Sequence, residues 1–375
     1  MPGQAADRIE GLYAWRAILM LGGLLLHATM GREDYPPFVA INIASGSFRM
    51  GTFFMIAGLL SGFALVRRPS PHAWLRRRLL QLGIPTVFSL LVISPVIGAL
   101  TTIRSAAPMP PFSMYHLWFM VTLIAYSLLA YVVHRADRHW PVFRHVEQRS
   151  PVARVRQSIV LLGTGTASFV LTIVTLRMLA GLTGPVASLT RQVPLMVGYA
   201  PVFLLGLATA RIPTLRRILI ARVRMPMLVL IGTVVAHLLW RSVLRPEVGT
   251  LLTGSIDNLL LAASGAWCPP AAAALILRSA SAIRHVPPLL RRLSDASLTM
   301  YILHYPIIVA LKVMVLPWHW HPLVEWAASV IVGGTLSYIA HVHIVDRSRF
   351  MALLLNGRLP PRPQADIGLP ATARV

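Results

Sequence analysis

The chain has 375 residues, of which 56% are hydrophobic and 13% are charged. Soluble domains carry about 25% charged residues, so a chain with a mean hydropathy of +0.67 has too little polar surface for a water-soluble fold. The net charge of +23 does not indicate a nucleic-acid partner, because the arginines stand in short runs between apolar stretches, as in cytoplasmic loops of membrane proteins. Composition therefore predicts an integral membrane protein.

Ten apolar segments approach the length of about 20 residues that a membrane span requires. In chain order they are Leu12–Met30, Ser47–Val66, Leu79–Thr102, Tyr115–Val133, Ile159–Ala180, Val193–Ala210, Met225–Trp240, Leu251–Leu277, Ser297–Leu316 and Val324–Val345. The sequence thus predicts an all-α polytopic membrane protein, a bundle of about ten transmembrane helices surrounded by the lipid bilayer. We expect it in the inner membrane, as a multi-pass protein.

The distribution of Lys and Arg predicts that both termini lie in the cytoplasm. With ten spans and this orientation, 26 of the 35 basic residues fall on the cytoplasmic side, five on the opposite side and four within spans. Such an asymmetry is typical of cytoplasmic loops. No loop is long enough for a soluble catalytic domain, so residues 1–357 are predicted to form one membrane domain. Residues 358–375, rich in Pro and Ala, are predicted to be a disordered cytoplasmic tail.

Arg16 and His27 are both placed in the first predicted span, where charged and polar groups are costly. They stand eleven positions apart in the sequence, so they share one helix face about 16 Å apart. One interpretation is an arginine that reaches the cytoplasmic interface and a hydrogen-bonded interior histidine. The other is a polar track across the membrane, with His27 as a catalytic base.

Arginines also stand at the ends of the next two spans. Arg49 opens the second span and either anchors the helix at the interface or serves chemistry. Arg77 and Arg78 precede the third span, where they determine topology and would also suit the phosphates of a cytoplasmic anionic donor. In the second span, Gly58 and Gly62 are predicted to allow close helix packing.

Later spans carry further polar and aromatic side chains. His116 and Trp118 begin the fourth span, either as an interfacial aromatic belt or as groups that stack on and bind a sugar. Tyr301 and His304 share one face of the ninth span. Asp257, in the eighth span, is expected to pair with an intramembrane arginine or to orient His27.

Two other charged residues near span ends are interpreted differently. Lys312 and Glu325 are predicted to be structural. No motif in the chain has the ligand pattern of a metal site, so no metal is expected.

Several segments together resemble the membrane-bound acyltransferase-3 family. They cover nearly the whole chain in the family's order: Arg16 with His27 ten residues between, Ser47–Met50 with Phe53–Gly58, Arg78 with Leu82–Pro85, His116–Phe119, Ala200–Gly206, Ala296–Pro306 and Asn356–Arg358. The closest likeness is to the branch called glucans biosynthesis protein C, which succinylates periplasmic glucans. Three positions depart from the family pattern, namely Tyr13, Ala57 and Gln81.

The resemblance implies a membrane O-acyltransferase that takes an acyl group from a cytoplasmic acyl-CoA and places it on a hydroxyl of an extracytoplasmic glycan. Succinyl-CoA or acetyl-CoA is the implied co-substrate, with no bound cofactor, and a periplasmic glucan or another glycan is the implied acceptor. His27, Arg16 and Arg49 are assigned to catalysis and Arg77 and Arg78 to donor binding. Acceptor binding is assigned to five residues: His116, Trp118, Asp257, Tyr301 and His304.

A second class of function remains open from the residues alone. Arginine and histidine inside a membrane also mark transport pathways, so a non-enzymatic glycan or lipid transporter or flippase is the alternative. Against it, the chain shows no duplicated halves, which many transporters have.

Overall fold

The computed structural model describes residues 10–68, 70–105, 113–148, 155–245 and 250–358. Besides a short 3-10 helix, Leu316–Trp318, these residues form fourteen helices: α1 Gly11–His27, α2 Pro36–Arg67, α3 Pro71–Ile103, α4 Trp118–His139, α5 Val142–Gln148, α6 Gln157–Leu179, α7 Gly184–Thr190, α8 Val193–Arg211, α9 Pro213–Ala221, α10 Arg224–Leu244, α11 Thr250–Ala282, α12 Pro288–Val315, α13 Pro322–Val345 and α14 Arg349–Asn356. No strand occurs among them. The all-α prediction is confirmed.

Within the described residues, nine helices are long and apolar enough to cross a membrane. These nine are α2, α3, α4, α6, α8, α10, α11, α12 and α13, and each overlaps one predicted span. The first predicted span is α1, an apolar helix of 17 residues. An apolar helix therefore stands at each of the ten predicted positions in a multi-pass membrane protein, whereas the orientation of the termini stays a prediction.

Several helix boundaries differ from the predicted ones. Helix α2 begins at Pro36 rather than Ser47, because Pro36 and Pro37 suit the first turn of a helix, where their missing N–H groups cost nothing. Helix α12 begins at Pro288 rather than Ser297 for the same reason. His116 lies in a turn before α4 rather than inside it, where the Leu117 N–H donates to the carbonyl of Met114 at 2.7 Å.

Helix α2 packs closely against α8, as Gly58 and Gly62 predict. A Cβ atom on Gly58 would lie 2.1 Å from the carbonyl oxygen of Phe203, and one on Gly62 would lie 2.5 Å from the Cβ of Ala210. From the other side, a Cβ on Gly206 would lie 2.0 Å from the carbonyl oxygen of Met55. Only glycine leaves room for backbones at this distance, so these positions hold α2 in place.

Helix α1 packs against α11, α12 and α13, which brings its polar face next to α12. Helix α14, the last helix of the described residues, packs against α3. The predicted division into a domain of residues 1–357 and a tail of residues 358–375 stays a prediction. Residues 1–9 and the tail from residue 359 onward lie outside the described residues, while the Arg358 guanidinium binds Asp346 at 2.6 Å.

Candidate active site

A cavity of about 1640 Å³ lies inside the bundle. At one end its lining includes Arg68, Arg77 and Arg78 of the basic segment, residues 67–78, which joins α2 to α3 and includes the first turns of α3. At the other end the lining includes the turn before α4 and the segment before α8. The structure brings nine of the ten predicted site residues to its wall: Arg16, His27, Arg49, Arg77, Arg78, His116, Trp118, Tyr301 and His304.

Three imidazole rings stand together where α1, α12 and the turn before α4 meet. The ring centroid of His27 lies 5.3 Å from that of His304 and 6.1 Å from that of His116, and the last two rings are 5.5 Å apart. Tyr305 completes this imidazole cluster, because its ring stacks on His116 at 4.8 Å and meets His27 edge-on at 4.9 Å. The sequence predicted these histidines but not Tyr305.

Hydrogen bonds to backbone carbonyls determine which nitrogen carries the proton in two of these rings. The Nε2 of His116 lies 3.0 Å from the carbonyl oxygen of Tyr301, and the Nδ1 of His304 lies 2.8 Å from the carbonyl oxygen of Met300. A carbonyl oxygen only accepts, so these two nitrogens carry the protons. In a neutral ring the other nitrogen is then a hydrogen-bond acceptor.

The other nitrogens are the Nδ1 of His116 and the Nε2 of His304. Both are buried and find no hydrogen-bond partner among the described residues, although buried polar atoms are normally paired. Both residues line the cavity. The imidazole cluster therefore offers two fixed acceptors that match the hydroxyl groups of a substrate.

Tyr301 holds the cluster together. Its hydroxyl donates to the carbonyl oxygen of His116, while its own carbonyl accepts from the His116 ring. This reciprocal pair ties α12 to the turn before α4. Although Tyr301 lines the cavity, its hydroxyl is already engaged, and we therefore regard it as a positioning residue.

Arg49 approaches the imidazole cluster from α2. It ends a π-helical turn of five residues, Ser45–Arg49, a feature that often occurs at functional sites. Its Nε donates to the Ser45 hydroxyl at 2.8 Å. A Cβ atom built on Gly23 would lie 2.7 Å from the Nη1 of Arg49, so the guanidinium rests on the bare backbone of α1. Gly23 stands one helical turn before His27, which places the guanidinium one turn along α1 from the imidazole.

Replacing Gly23 by alanine is expected to leave the fold intact and to lower catalytic activity about tenfold. The added methyl group meets only the mobile end of the Arg49 side chain, which moves aside instead of straining the backbone. The rate of the acyl transfer that the resemblance leads us to expect, measured per amount of folded protein, shows the effect. Gly163→Ala is the control, since a Cβ there meets nothing within 4 Å; equal activity of the two variants would contradict the proposed contact.

The opposite end of the cavity is rich in arginine. The Nη2 of Arg16 lies 3.3 Å from the Ser297 hydroxyl, and the Nη1 of Arg78 lies 3.4 Å from the Oε1 of Gln81. The Nε of Arg78 is buried and has no partner among the described residues. Arg77 is exposed at the rim. This end therefore suits an anion that enters from the basic segment.

Sequence interpretation gave no role to three residues that complete this end of the cavity: Ser294, Asp295 and Asn356. The Asn356 side chain donates to the Asp295 carbonyl at 3.4 Å. Gly357 follows in the left-handed conformation, φ 59°, and a Cβ there would lie 1.9 Å from the carbonyl oxygen of Gln81. The Asn356–Arg358 motif thus closes one wall of the cavity against α3.

The structure does not place Asp257 in the cavity wall. Its carboxylate accepts a hydrogen bond from the Nε1 of Trp240 at 2.6 Å and pairs with Arg245 at 3.3 Å. It therefore ties α10 to α11 and does not orient His27. The next residue, Asn258, lines the cavity instead. In the part of the chain that the structure describes, no three His, Cys, Asp or Glu side chains are arranged to hold a metal ion.

Comparison with known proteins adds one finding. The family model of the acyltransferase-3 group, described as an acyltransferase domain, matches residues 9–342. No curated protein and no solved structure matches the chain. The matched range begins before α1 and ends within α13, and so includes every residue of the imidazole cluster together with Arg49 and Arg16.

Proposed function

Because this chain belongs to the acyltransferase-3 family and is therefore a membrane enzyme that transfers acyl groups other than aminoacyl groups, we propose that it acylates a glycan across the inner membrane. The donor is a cytoplasmic acyl-CoA, succinyl-CoA or acetyl-CoA, and the acceptor is a hydroxyl of a periplasmic glucan or another extracytoplasmic glycan. One observation carries the proposal: a single cavity joins the arginines of the basic segment to the imidazole cluster.

The arginine end of the cavity provides the chemistry for the donor. Guanidinium groups bind phosphates through charge-assisted hydrogen bonds, and Arg77 and Arg78 lie at the mouth that the charge distribution predicts to be cytoplasmic. The thioester then extends inward past Arg16. The guanidinium of Arg49 meets either the thioester carbonyl, which it polarises, or the terminal carboxylate of a succinyl group.

At the imidazole cluster, His27 takes the proton of the acceptor hydroxyl as its oxygen attacks the thioester carbon. The new ester C–O bond forms, the C–S bond breaks, and the CoA thiolate receives the proton from the His27 imidazolium. In the alternative, the His27 nitrogen attacks the thioester carbon, the C–S bond breaks and CoA leaves as the thiolate. The acceptor oxygen then attacks the acyl-imidazole, the C–N bond breaks, and the hydroxyl proton passes to the thiolate. The free nitrogens of His116 and His304 accept hydrogen bonds from neighbouring hydroxyls, and Trp118 offers a ring on which a sugar can stack.

The family assignment favours this function over the transporter alternative, because it identifies an enzyme. The geometry of the site also favours an enzyme over a transporter. Two buried imidazole nitrogens without partners next to a third imidazole and a guanidinium form a constellation suited to proton transfer and to stabilising negative charge.

Purified protein in liposomes tests the proposal. Labelled succinyl-CoA or acetyl-CoA is supplied on the side of the basic segment and a soluble glucan on the other side. We expect an ester label on the glucan, whose mass increment identifies the acyl group. Protein that neither hydrolyses nor transfers either thioester would contradict the proposal.

Arg78→Ala is expected to raise the KM for acyl-CoA by about 10–100-fold with a smaller change in kcat, because a charge-assisted hydrogen bond contributes about 1.5–3 kcal/mol. Initial rates measured over a range of acyl-CoA concentrations show the change. Arg76→Ala is the matched control, since Arg76 belongs to the same run but does not line the cavity. An unchanged KM in Arg78→Ala would move the donor site elsewhere.

A further inference from the structure

Helix α8 is irregular at Tyr199, which separates two regular segments, Val193–Gly198 and Ala200–Arg211. Pro201 accounts for the irregularity, because it has no N–H group to donate to the carbonyl of Val197. The mechanism described above gives no role to Tyr199, yet it lines the cavity. This break in the helix therefore places a tyrosine on the wall of the proposed active site.

Packing against α2 and α11 holds the Tyr199 side chain in place. The centroid of its ring lies 5.6 Å from that of Phe54, and a Cβ atom built on Gly51 would lie 2.9 Å from its Cε1. On α11, a Cβ on Gly265 would lie 3.8 Å from its hydroxyl oxygen. Only 6% of the residue is exposed. The ring therefore fits between two helices with little freedom to move.

The hydroxyl of Tyr199 has no hydrogen-bond partner among the described residues, although its oxygen is reachable from the cavity. A tyrosine hydroxyl inside a protein usually finds a partner. Tyr126 illustrates the usual case, because its ring packs on the same Phe54 at 5.1 Å while its hydroxyl donates to the carbonyl of Met196 at 2.6 Å. The Tyr199 hydroxyl is therefore a donor that is left for a bound molecule.

Arg49 is the charged neighbour of this hydroxyl. A Cβ on Gly265, which would lie next to the hydroxyl, would also lie 3.9 Å from the carbonyl oxygen of Gly46, a residue of the same π-helical turn as Arg49. The guanidinium and the Tyr199 hydroxyl are near enough to interact electrostatically. The guanidinium also rests on Gly23, one helical turn before the imidazole of α1. Arg49 therefore lies near both the hydroxyl and the imidazole cluster.

We propose that Tyr199 is a catalytic residue that, together with Arg49, stabilises the oxyanion formed during acyl transfer. As the acceptor oxygen attacks the thioester carbon, the electron pair of the C=O π bond moves onto the carbonyl oxygen, which becomes negatively charged. The Tyr199 O–H donates a hydrogen bond to this oxygen and keeps its own proton. The electron pair returns as the C–S bond breaks, and the CoA thiolate receives the proton that His27 took from the acceptor hydroxyl.

This inference rests on the proposed acyl transfer and assigns Arg49 to the thioester carbonyl rather than to a terminal carboxylate. The same oxyanion forms if His27 itself attacks the thioester, so the role of Tyr199 is the same in both routes. The two donors complement each other. The guanidinium supplies positive charge on a long side chain, whereas the tyrosine hydroxyl stands on a packed ring with only two side-chain torsions. A donor fixed in this way needs no reorganisation when the charge develops.

Tyr199→Phe is expected to lower kcat for acyl transfer about 100-fold, the usual effect of removing one oxyanion donor. The KM values of donor and acceptor should change little, because the hydrogen bond strengthens only in the transition state. The melting temperature should also change little, since the hydroxyl has no partner in the described protein.

Tyr126→Phe is the matched control. Tyr126 does not line the cavity and its hydroxyl is bound to a backbone carbonyl. This variant should therefore have a lower melting temperature and an unchanged kcat, the opposite of Tyr199→Phe. A kcat in Tyr199→Phe equal to that of an active wild type would overturn the proposal.

Two donors that differ only at the carbonyl show where the hydroxyl acts. The acyl-CoA that the wild type accepts, acetyl-CoA or succinyl-CoA, is compared with its dithioester, in which sulfur replaces the carbonyl oxygen and is a weak hydrogen-bond acceptor. We expect the loss of kcat that Tyr199→Phe causes to be about tenfold smaller with the dithioester. An equal loss with both donors would place the hydroxyl away from the carbonyl and overturn the proposal. A wild type that neither hydrolyses nor transfers acetyl-CoA or succinyl-CoA would instead refute the acyl transfer itself.

Discussion

His27→Ala is expected to lower the rate of acyl transfer by about 10²–10⁴-fold, the usual contribution of a positioned acid–base group. The stability of the protein is expected to change little, because the His27 ring lies against a cavity and not in a filled core. Initial rates in membranes, normalised to the amount of folded protein, measure the effect.

Two further variants show whether the loss of activity is specific to His27. His72→Ala removes an exposed histidine of α3 that does not line the cavity, and it should retain full activity. His304→Ala removes a fixed hydrogen-bond acceptor, and a loss of about tenfold is expected. A larger loss in His304→Ala than in His27→Ala would assign the base to His304, and full activity of His27→Ala would remove the proposed mechanism.

The same histidine also distinguishes the two chemical routes. If His27 carries the acyl group, incubation with labelled acyl-CoA in the absence of acceptor leaves the label on the α1 peptide. If it acts only as a base, the label stays on CoA or is released by hydrolysis. Mass spectrometry of the digested protein gives the answer, with His27→Ala as the blank.

Much of the site was predictable because polar residues are rare inside membrane helices. Arg16 and His27 stood out against an apolar background, and their spacing placed them on one face of α1. Both line the cavity. The apolar segments were recognisable for the same reason, since a membrane span has a minimum length and tolerates few charges.

The parts that could not be predicted depend on contacts between segments far apart in the chain. Gly357 lies against the carbonyl of Gln81, and Gly23 lies against the Arg49 side chain. Both contacts exist only in the packed bundle. The sequence also could not distinguish the roles of two adjacent residues in α11. Asp257 and Asn258 point about 100° apart around the helix, and only the packing of α10 against one side decides that Asp257 pairs there while Asn258 faces the cavity.

Lys312 and Glu325, which the sequence predicts to be structural, form a buried ion pair with the largest expected effect on stability. The Lys312 ammonium lies 2.5 Å from the Oε1 of Glu325, and both side chains are buried between α12 and α13. Arg32, which is 43% exposed, approaches the other carboxylate oxygen at 3.4 Å. The pair fixes the register of α12, the helix that carries His304 and Tyr301.

Lys312→Met is therefore expected to lower the free energy of unfolding by about 3–5 kcal/mol, because it leaves a buried carboxylate whose nearest remaining cation is half exposed. Denaturation in detergent micelles measures the change. The double variant Lys312→Met with Glu325→Leu should recover most of this loss, since removing both charges abolishes the cost of burying an unpaired one. Neither residue lines the cavity, so the folded variants should keep their acyl transfer rate at low temperature. A double variant less stable than Lys312→Met would contradict this explanation, because the unpaired carboxylate would then not be the cause of the loss.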